Sequence, residues 1–372
     1  MVFRLISLIL SLSLFCQQAG IAYASGELNL ANYLSSMRNA AVQPDIFQPA
    51  RLRYISYDSR NNDFKLLLDK GNIVGNGLEP FPTQQEEAKL FNYFLIGLAL
   101  PNDTFWVNLR PDAPENIIDP LLEKTDIGKI FLEADLQLKK DTASLTSPQN
   151  PEGKAYWDKL YKKAGELFGT ENITIPTITR PWIVPNEVIV RETEDSAYIY
   201  KATLKVMLEA DYLKSSQLSA GQKAAVGPPI AQAAFSSQQY NFKDSRLKEL
   251  NEYSSQIIRE TIIPKLTREV NSSKRYAKLR QVYYSLVLSR WFKQKYSSLG
   301  SARAQGASAP VNSYIGLIDS GNLANLNSRE SCDKQTYFQA YQKSFKDGEY
   351  NLKETVVSPY GQSIRSYISG GI

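Results

Sequence analysis

The best candidates for catalytic residues in this sequence are the carboxylates of one proline-rich loop. Asp112, Glu115 and Asp119 lie in the segment 110–120, directly after a predicted strand at 105–109. Loops that follow rigid elements often carry functional groups. Glycoside hydrolysis needs two carboxylates at a fixed separation and no histidine. These three acids are therefore candidates for a catalytic carboxylate pair.

Two further acidic pairs could complete such a set, Glu133 with Asp135 and Glu209 with Asp211. Glu133 and Asp135 are two residues apart on a predicted helix, so we expect them to face different sides. Aspartate is also common in ordinary loops, because its side chain bonds the local backbone. The acidic loop therefore has two open interpretations, a catalytic pair and a solvated turn.

A stretch of basic and aromatic residues is the second candidate. Residues 274–295 hold seven Lys or Arg and no acid, with six aromatic residues among them up to Tyr296. Such a surface could bind an anionic polymer or lipid headgroups, and its candidate contacts are Lys274, Arg275, Lys278 and Arg280. The run 282–292 is nearly all apolar, however, and this favours a buried helix with charged ends.

The composition excludes much other chemistry. The chain has 372 residues, no His and two Cys, so Ser-His-Asp triads and His-based zinc sites are impossible. It has no phosphate-binding glycine motif, and we expect neither a cofactor nor a metal. The 43 basic and 38 acidic residues give a net charge of +5, which is too mild to imply a nucleic-acid partner.

The N-terminus has the pattern of a secretory signal. Arg4 precedes the apolar run 5–15, and Ala22-Tyr23-Ala24 presents small residues to a signal peptidase. We expect cleavage between Ala24 and Ser25 and a secreted or periplasmic protein. Cys332 is then the single cysteine left, so no internal disulfide can form. No later stretch is apolar for long enough to span a membrane.

The order of elements predicts an α+β fold. Alternating residues predict one antiparallel hairpin from the strands 51–57 and 64–68, and another from 187–191 and 197–208. A long helical segment covers 245–296. Because helices and strands come in blocks rather than in βα alternation, we expect mixed hairpins packed with the helical segment, not a doubly wound sheet.

The helix after Ser273 should be central. One apolar face recurs at helical spacing and a second lies beside it, so the helix must be covered on both sides. The first face comprises Leu279, Val282, Tyr283, Leu286 and Val287, and the second Tyr284, Leu288, Trp291 and Phe292.

Shifts in composition divide the chain into segments. Two stretches rich in Ser, Ala, Gln and Gly are typical of flexible insertions. The expected order is a signal peptide 1–24, a lead-in 25–50, an α+β region 51–212, an insertion 213–240, a helical core segment 241–298, an insertion 299–312, and a C-terminal helix with strands 313–372. We expect the last segment to form one composite domain with 51–298.

Four segments carry a resemblance to known sequences: FWVNLRPD at 105–112, TDIGKIFLEAD at 125–135, PTITRPWIVP at 176–185, and the helix around NEY at 251–253. With them, the chain from about residue 105 to its last residue resembles an uncharacterised family of exported bacterial proteins. The resemblance implies export and carries no assigned activity.

These observations predict a secreted, non-enzymatic envelope or assembly module that acts through a binding surface. We expect its partner to be an envelope protein or a polysaccharide. The alternative is an exported carbohydrate-active enzyme that uses a pair of carboxylates. A cleft that joins Asp112, Glu115 or Asp119 to a second acid would favour the enzyme.

Overall fold

The computed structural model describes residues 47–61, 63–72, 84–102, 105, 107, 118–175, 180–220, 244–303, 333–347 and 356–366. The chain divides into two units, Met1–Asp45 and Ile46–Ile372, and every described residue belongs to the second. The predicted signal peptide, Cys332 and most of both predicted insertions therefore lie outside the described residues.

Seven strands and nine α-helices are described. In chain order they are β1 Arg51–Asp58, β2 Asp63–Asp69, α1 Gln84–Ala99, α2 Pro120–Glu123, α3 Asp126–Thr146, α4 Pro151–Phe168, β3 Ile173–Ile175, β4 Pro181–Glu192, β5 Ser196–Leu208, α5 Glu209–Ala220, α6 Ser245–Thr261, α7 Ile263–Ser272, α8 Ala277–Arg303, α9 Lys334–Asp347, β6 Val356–Val357 and β7 Ser363–Ser366. A short 3₁₀ turn, Lys274–Tyr276, joins α7 to α8.

The fold is α+β, as the sequence predicts. One sheet has the antiparallel order β2-β1-β5-β4, and a second, smaller sheet has the order β3-β7-β6. Both predicted hairpins are confirmed, β1 with β2 and β4 with β5. The proline-bearing strand β4 lies at the edge of its sheet, where a residue without a backbone N–H is tolerated.

Helices α1 and α8 cover one face of the four-stranded sheet. Leu52, Ile55 and Ile199 of the sheet pack there against buried aromatic residues such as Phe292. Because Ser285 and Ser289 of α8 donate in that order to the carbonyls of Leu90 and Phe94, the two helices run parallel. A Cβ on Gly97 of α1 would lie 2.5 Å from the Ser289 hydroxyl, so this close approach requires glycine.

Helix α8 is central, as its two apolar faces predict. Val282 of the first face and Leu288 of the second are both fully buried. Leu286 is only partly buried and packs at the margin of the core. The second face is the better covered, because it lies between the sheet and α1.

A second core lies beside the first. Helices α3, α4, α6 and α7 meet there with the end of β5, and α9 adds the buried Tyr337. The smaller sheet is held to α4 by two contacts: the Tyr360 ring lies against Gly165, and Gln362 donates to the Ala164 carbonyl.

Two helices extend further than the sequence predicts. Helix α5 reaches Ala220 and α8 reaches Arg303, so each enters a segment predicted as a flexible insertion. Alanine favours a helix, but Ser, Gly and Pro in the same stretches weaken it, so composition alone does not locate the helix end. Ser273 precedes the 3₁₀ turn, and its hydroxyl makes no capping hydrogen bond there.

Candidate functional site

The structure describes one of the three candidate carboxylates. Asp119 precedes α2, and its Oδ1 accepts hydrogen bonds from the backbone N–H groups of Leu121 and Leu122 at 2.8 and 3.2 Å. This is helix capping, in which a side chain satisfies otherwise unpaired donors of the first turn. Asp112 and Glu115 lie outside the described residues, so their catalytic role stays a prediction.

The candidate anionic-ligand contacts have partners inside the protein. Arg280 is buried and donates to the carbonyls of Val270 and Phe47. Arg275 pairs with Asp141 and Glu269, and Lys278 with Glu133 at 3.4 Å. The Lys274 ammonium lies 6.0 Å from the centre of the Phe47 ring. A role for these four in ligand binding stays a prediction, while the aromatic residues Tyr276, Tyr284, Trp291 and Phe292 lie in the core.

A buried group of charges is the first site that the structure reveals. Asp135 and Lys139 are four residues apart on α3 and therefore share one face. The Lys139 ammonium donates to the Tyr337 hydroxyl at 2.9 Å, and this hydroxyl donates to the Asp135 carboxylate at 2.6 Å. Lys139 and Tyr337 are fully buried and Asp135 nearly so. We call these three residues the α3 cluster.

Burial shifts both charged groups of the α3 cluster toward their neutral forms. It raises the pKa of Asp135 to about 7, against the opposing effects of Lys139 and the Tyr337 hydrogen bond. Burial likewise lowers the pKa of Lys139 to about 8, against the attraction of Asp135. Arg180 adds a repulsion that lowers the Lys139 pKa further. Near neutral pH, both groups are therefore close to the pH at which they lose their charge.

A second polar group lies on the same helix. Asp141 accepts from the Tyr276 hydroxyl at 2.9 Å and from Gln137 at 2.8 Å, and it pairs with Arg275. These bonds join α3 to the 3₁₀ turn before α8, as the α3 cluster joins α3 to α9. Because their hydrogen-bonding atoms are mostly enclosed, both groups fit a structural role better than contact with a substrate.

The face of the four-stranded sheet that α1 and α8 leave uncovered is the second site. Residues that pair across strands share a face, and the register aligns Leu67, Tyr54, Tyr198 and Arg191 in one row across β2, β1, β5 and β4. Leu67 is 53% exposed, and Arg191 is also exposed. With Arg53 and Tyr200 these residues form what we call the tyrosine–arginine surface.

Two irregularities in the ladder build this surface. The register shifts between Leu52 and Tyr54, so Arg53 is an extra residue in β1. It shifts again opposite Ile189 and Val190, which makes Tyr200 the extra residue in β5. A β-bulge redirects side chains and is common beside functional sites. Here the bulges add Arg53 and Tyr200 to the row, and Tyr200 is 55% exposed.

Arg53 fixes the arrangement. The β1–β5 ladder ends at Tyr54 and Tyr198, and beyond it the Arg53 guanidinium donates to the carbonyls of Ile199 and Tyr200 at 2.9 and 3.0 Å. The same group pairs with Asp69 at 2.7 Å and lies 5.3 Å from the centre of the Tyr198 ring. The guanidinium group of arginine is planar and has five N–H donors, so it can make several such contacts at once.

Beyond Arg53, side chains of α7 hydrogen-bond the backbone groups of β5 that have no neighbouring strand. Asn271 of α7 both donates to and accepts from the backbone of Leu204, and Thr267 accepts from the N–H of Val206. Two helical side chains therefore replace a neighbouring strand. Because β5 is held along its length by β4, β1, Arg53 and α7, the tyrosine–arginine surface lies on a rigid support.

Within the described residues, no group of three or more acidic or cysteine side chains is arranged to hold a metal ion. No described helix is long and apolar enough to cross a membrane.

Sequence reasoning missed both sites. The spacing of Asp135 and Lys139 within an apolar stripe was a usable signal for a buried pair. Tyr337 is about two hundred residues away and no local pattern indicated it. The pairing of Tyr54 with Tyr198 likewise depends on a contact between two distant hairpins.

Comparison with known proteins gives no further guidance. No family model matches the chain, and no curated protein and no solved structure matches it. The resemblance to an exported bacterial family stays a prediction, and function must be argued from the residues of this chain.

Proposed function

We propose that this protein is an exported, non-enzymatic module of the bacterial envelope that binds its partner through the tyrosine–arginine surface. The observation that carries the proposal is the row of Leu67, Tyr54, Tyr198 and Arg191 on a bulged, internally braced sheet, in which Leu67 and Arg191 are exposed and the two tyrosines are half-buried. The signal-like N-terminus supports export.

The residue types support a binding role. Tyrosine and arginine are enriched where alanine substitution costs most binding energy, since each contributes both apolar area and hydrogen bonds. Here their guanidinium groups are already placed on the rings, Arg53 on Tyr198 and Arg191 on Tyr200 at 5.4 Å. Groups that are held before binding lose less entropy when the partner arrives.

The shape supports a macromolecular partner. Small molecules bind mainly in concave pockets that enclose most of their surface, whereas this row crosses the outer face of an open sheet. Four strands at a spacing of about 4.8 Å give a contact about 14 Å wide. A surface of this kind fits an extended polymer or the surface of another protein.

The alternative function, a carbohydrate-active enzyme, depends on Asp112 and Glu115, and it stays a prediction. Asp119 uses one carboxylate oxygen to cap α2. Asp135 is enclosed by Lys139 and Tyr337.

Co-sedimentation with isolated envelope fragments tests the proposal. The mature chain should pellet with cell-wall or membrane fragments, and the double variant Leu67→Ser, Tyr200→Ser should not. The matched control is Leu121→Ser with Val357→Ser, which removes apolar side chains that are 56% and 67% exposed outside the surface. Equal pelleting of both double variants would contradict the proposal.

A further inference from the structure

We propose that the partner of the tyrosine–arginine surface is an acidic polysaccharide, a chain of hydroxyl-rich rings that carry carboxylates. This inference rests on the proposed function, because it names the ligand of the same surface.

The charge of the surface favours an anion. Arg53, Lys65, Arg191 and Lys201 contribute positive charge to this face, and Asp69 and Glu187 are the acids paired with them. Arg191 makes no ion pair within the part of the chain that the structure describes. The middle of the face therefore has an excess of positive charge that a carboxylate can neutralise.

The geometry of Arg191 favours a planar anion. Its guanidinium carbon lies over the Tyr200 ring, 5.4 Å from the ring centre, and both side chains are exposed. Two parallel N–H groups match the two oxygens of a carboxylate. Phenol hydroxyls of Tyr54 and Tyr198 lie in the same row, and they can bond the hydroxyl groups of a sugar ring.

The neighbouring groups define the path of the chain. At one end of the sheet both turns are acidic, with Asp58 opposite Asp63 and Glu194 beside Asp195. At the other end α5 covers the same face, where the Trp182 ring stacks on Tyr212 at 5.4 Å. An anionic polymer must therefore cross the strands along the row, between the acidic turns and α5.

The rings distinguish a polysaccharide from the other polyanions. Single-stranded nucleic acids gain affinity by stacking bases on open aromatic faces, but Tyr198 and Tyr200 already have a guanidinium over one face. An acidic peptide offers carboxylates but no ring hydroxyl groups for the phenols of Tyr54 and Tyr198 to bond. Mixed hydroxyl and guanidinium donors suit an acidic sugar chain.

Binding to a uronic-acid polymer and to its neutral ester tests the inference. Calorimetric titration would use the mature chain with polygalacturonate and with fully methyl-esterified polygalacturonate. The ester has the same sugar rings as the acid form but carries no charge. We expect the acid form to bind at least about tenfold more tightly and to weaken with added salt. Polyglutamate and a single-stranded oligonucleotide represent the other polyanion classes, and both should bind more weakly.

Two matched arginine variants locate the contact. Arg191→Gln should weaken polygalacturonate binding about tenfold or more, since it removes the charge-assisted bonds. Arg60→Gln lowers the net charge equally, but it lies in the exposed turn between β1 and β2 and should change the affinity less than about twofold. Equal effects of the two variants would show attraction to net charge alone and would overturn the inference.

The remaining outcomes separate this inference from the proposed function. Equal affinity for the ester, or tighter binding of polyglutamate or the oligonucleotide, overturns the acidic polysaccharide and leaves the binding surface in place. If no polymer binds but pelleting with envelope fragments still depends on Leu67 and Tyr200, the acidic polysaccharide is also overturned and the binding surface stays in place. If neither polymers nor fragments bind, both proposals are wrong.

Discussion

The α3 cluster and the tyrosine–arginine surface combine similar residue types in opposite environments. In the cluster, the Tyr337 hydroxyl joins Lys139 to Asp135 and all three residues lie inside the protein. On the surface, the Arg191 guanidinium lies over the Tyr200 ring and both residues are exposed. The difference separates two uses of charge: enclosed charges position helices, while exposed, braced charges are available to a partner.

The largest expected effect comes from breaking the buried pair. Above pH 7, where Asp135 loses its proton, Lys139→Met leaves a buried carboxylate without its cation, and this should lower the free energy of unfolding by about 3–5 kcal/mol. Asp135→Leu combined with Lys139→Met should restore most of the loss, because no buried charge remains unpaired. Urea unfolding of both variants measures the effect. Equal loss in the single and double variants would show that the pair does not act as a unit.

The apolar core of α8 provides a comparison without charge. Leu288→Ala removes a fully buried side chain between the sheet and α1 and should cost about 2–5 kcal/mol. Leu286→Ala should cost less, because Leu286 is only partly buried. Both variants should bind envelope fragments normally while folded. The order of the two losses in urea is the measurement, and a reversed order would contradict the packing described for α8.

The pH dependence of stability follows from the shifted pKa values. The folded state holds the Asp135 proton up to a pH of about 7, whereas an unfolded carboxyl loses it near 4, so stability falls as pH rises through this window. The folded state releases the Lys139 proton at about 8, whereas an unfolded lysine keeps it to about 10, so stability rises again above 8. A minimum near pH 7–8 is expected, at least about 1 kcal/mol deep, since one pKa unit corresponds to that amount.

The reference for this minimum is the double variant Asp135→Asn, Lys139→Met, which retains every other titrating group. Urea unfolding of both proteins between pH 4 and pH 10 gives their difference in stability. A difference that stays flat across this range would show that burial does not shift the two groups as described.

A smaller effect is expected on the surface. Arg53→Lys keeps the charge but cannot reach Asp69 and the carbonyls of Ile199 and Tyr200 together. We expect a loss of about 1 kcal/mol in stability and weaker pelleting with envelope fragments, since the Tyr200 bulge loses its support. Arg60→Lys is the control. Unchanged pelleting of Arg53→Lys would show that the bulge needs no such support.

The local features of the fold were predictable from the sequence. Alternation in residues 51–57 and 64–68 predicted the β1–β2 hairpin, and two apolar faces predicted a central α8. Both are short-range patterns, set by the periods of strand and helix. The expectation that Glu133 and Asp135 face different sides is also confirmed, because Glu133 pairs with Lys278 at the surface and Asp135 is enclosed.

The sites themselves depend on contacts that no local pattern encodes. Register shifts at Arg53 and Tyr200 are single-residue insertions, and alternation predicts strands without showing where such insertions fall. The bonds of Asn271 to β5 join a helix to a distant strand. Burial of Lys139 contradicts the usual preference of lysine for solvent, and its bond to Tyr337 and the attraction of Asp135 account for it.

Hydroxyl-radical footprinting with mass spectrometry tests the central claim most directly, because it measures side-chain exposure with and without bound envelope fragments. Oxidation of Tyr200 and Leu67 should fall on binding, while that of Tyr360 and Leu121, which are 46% and 56% exposed elsewhere, should not change. Protection of Tyr360 or Leu121, with Tyr200 and Leu67 oxidised as in the free protein, would contradict the assignment of the tyrosine–arginine surface as the binding site.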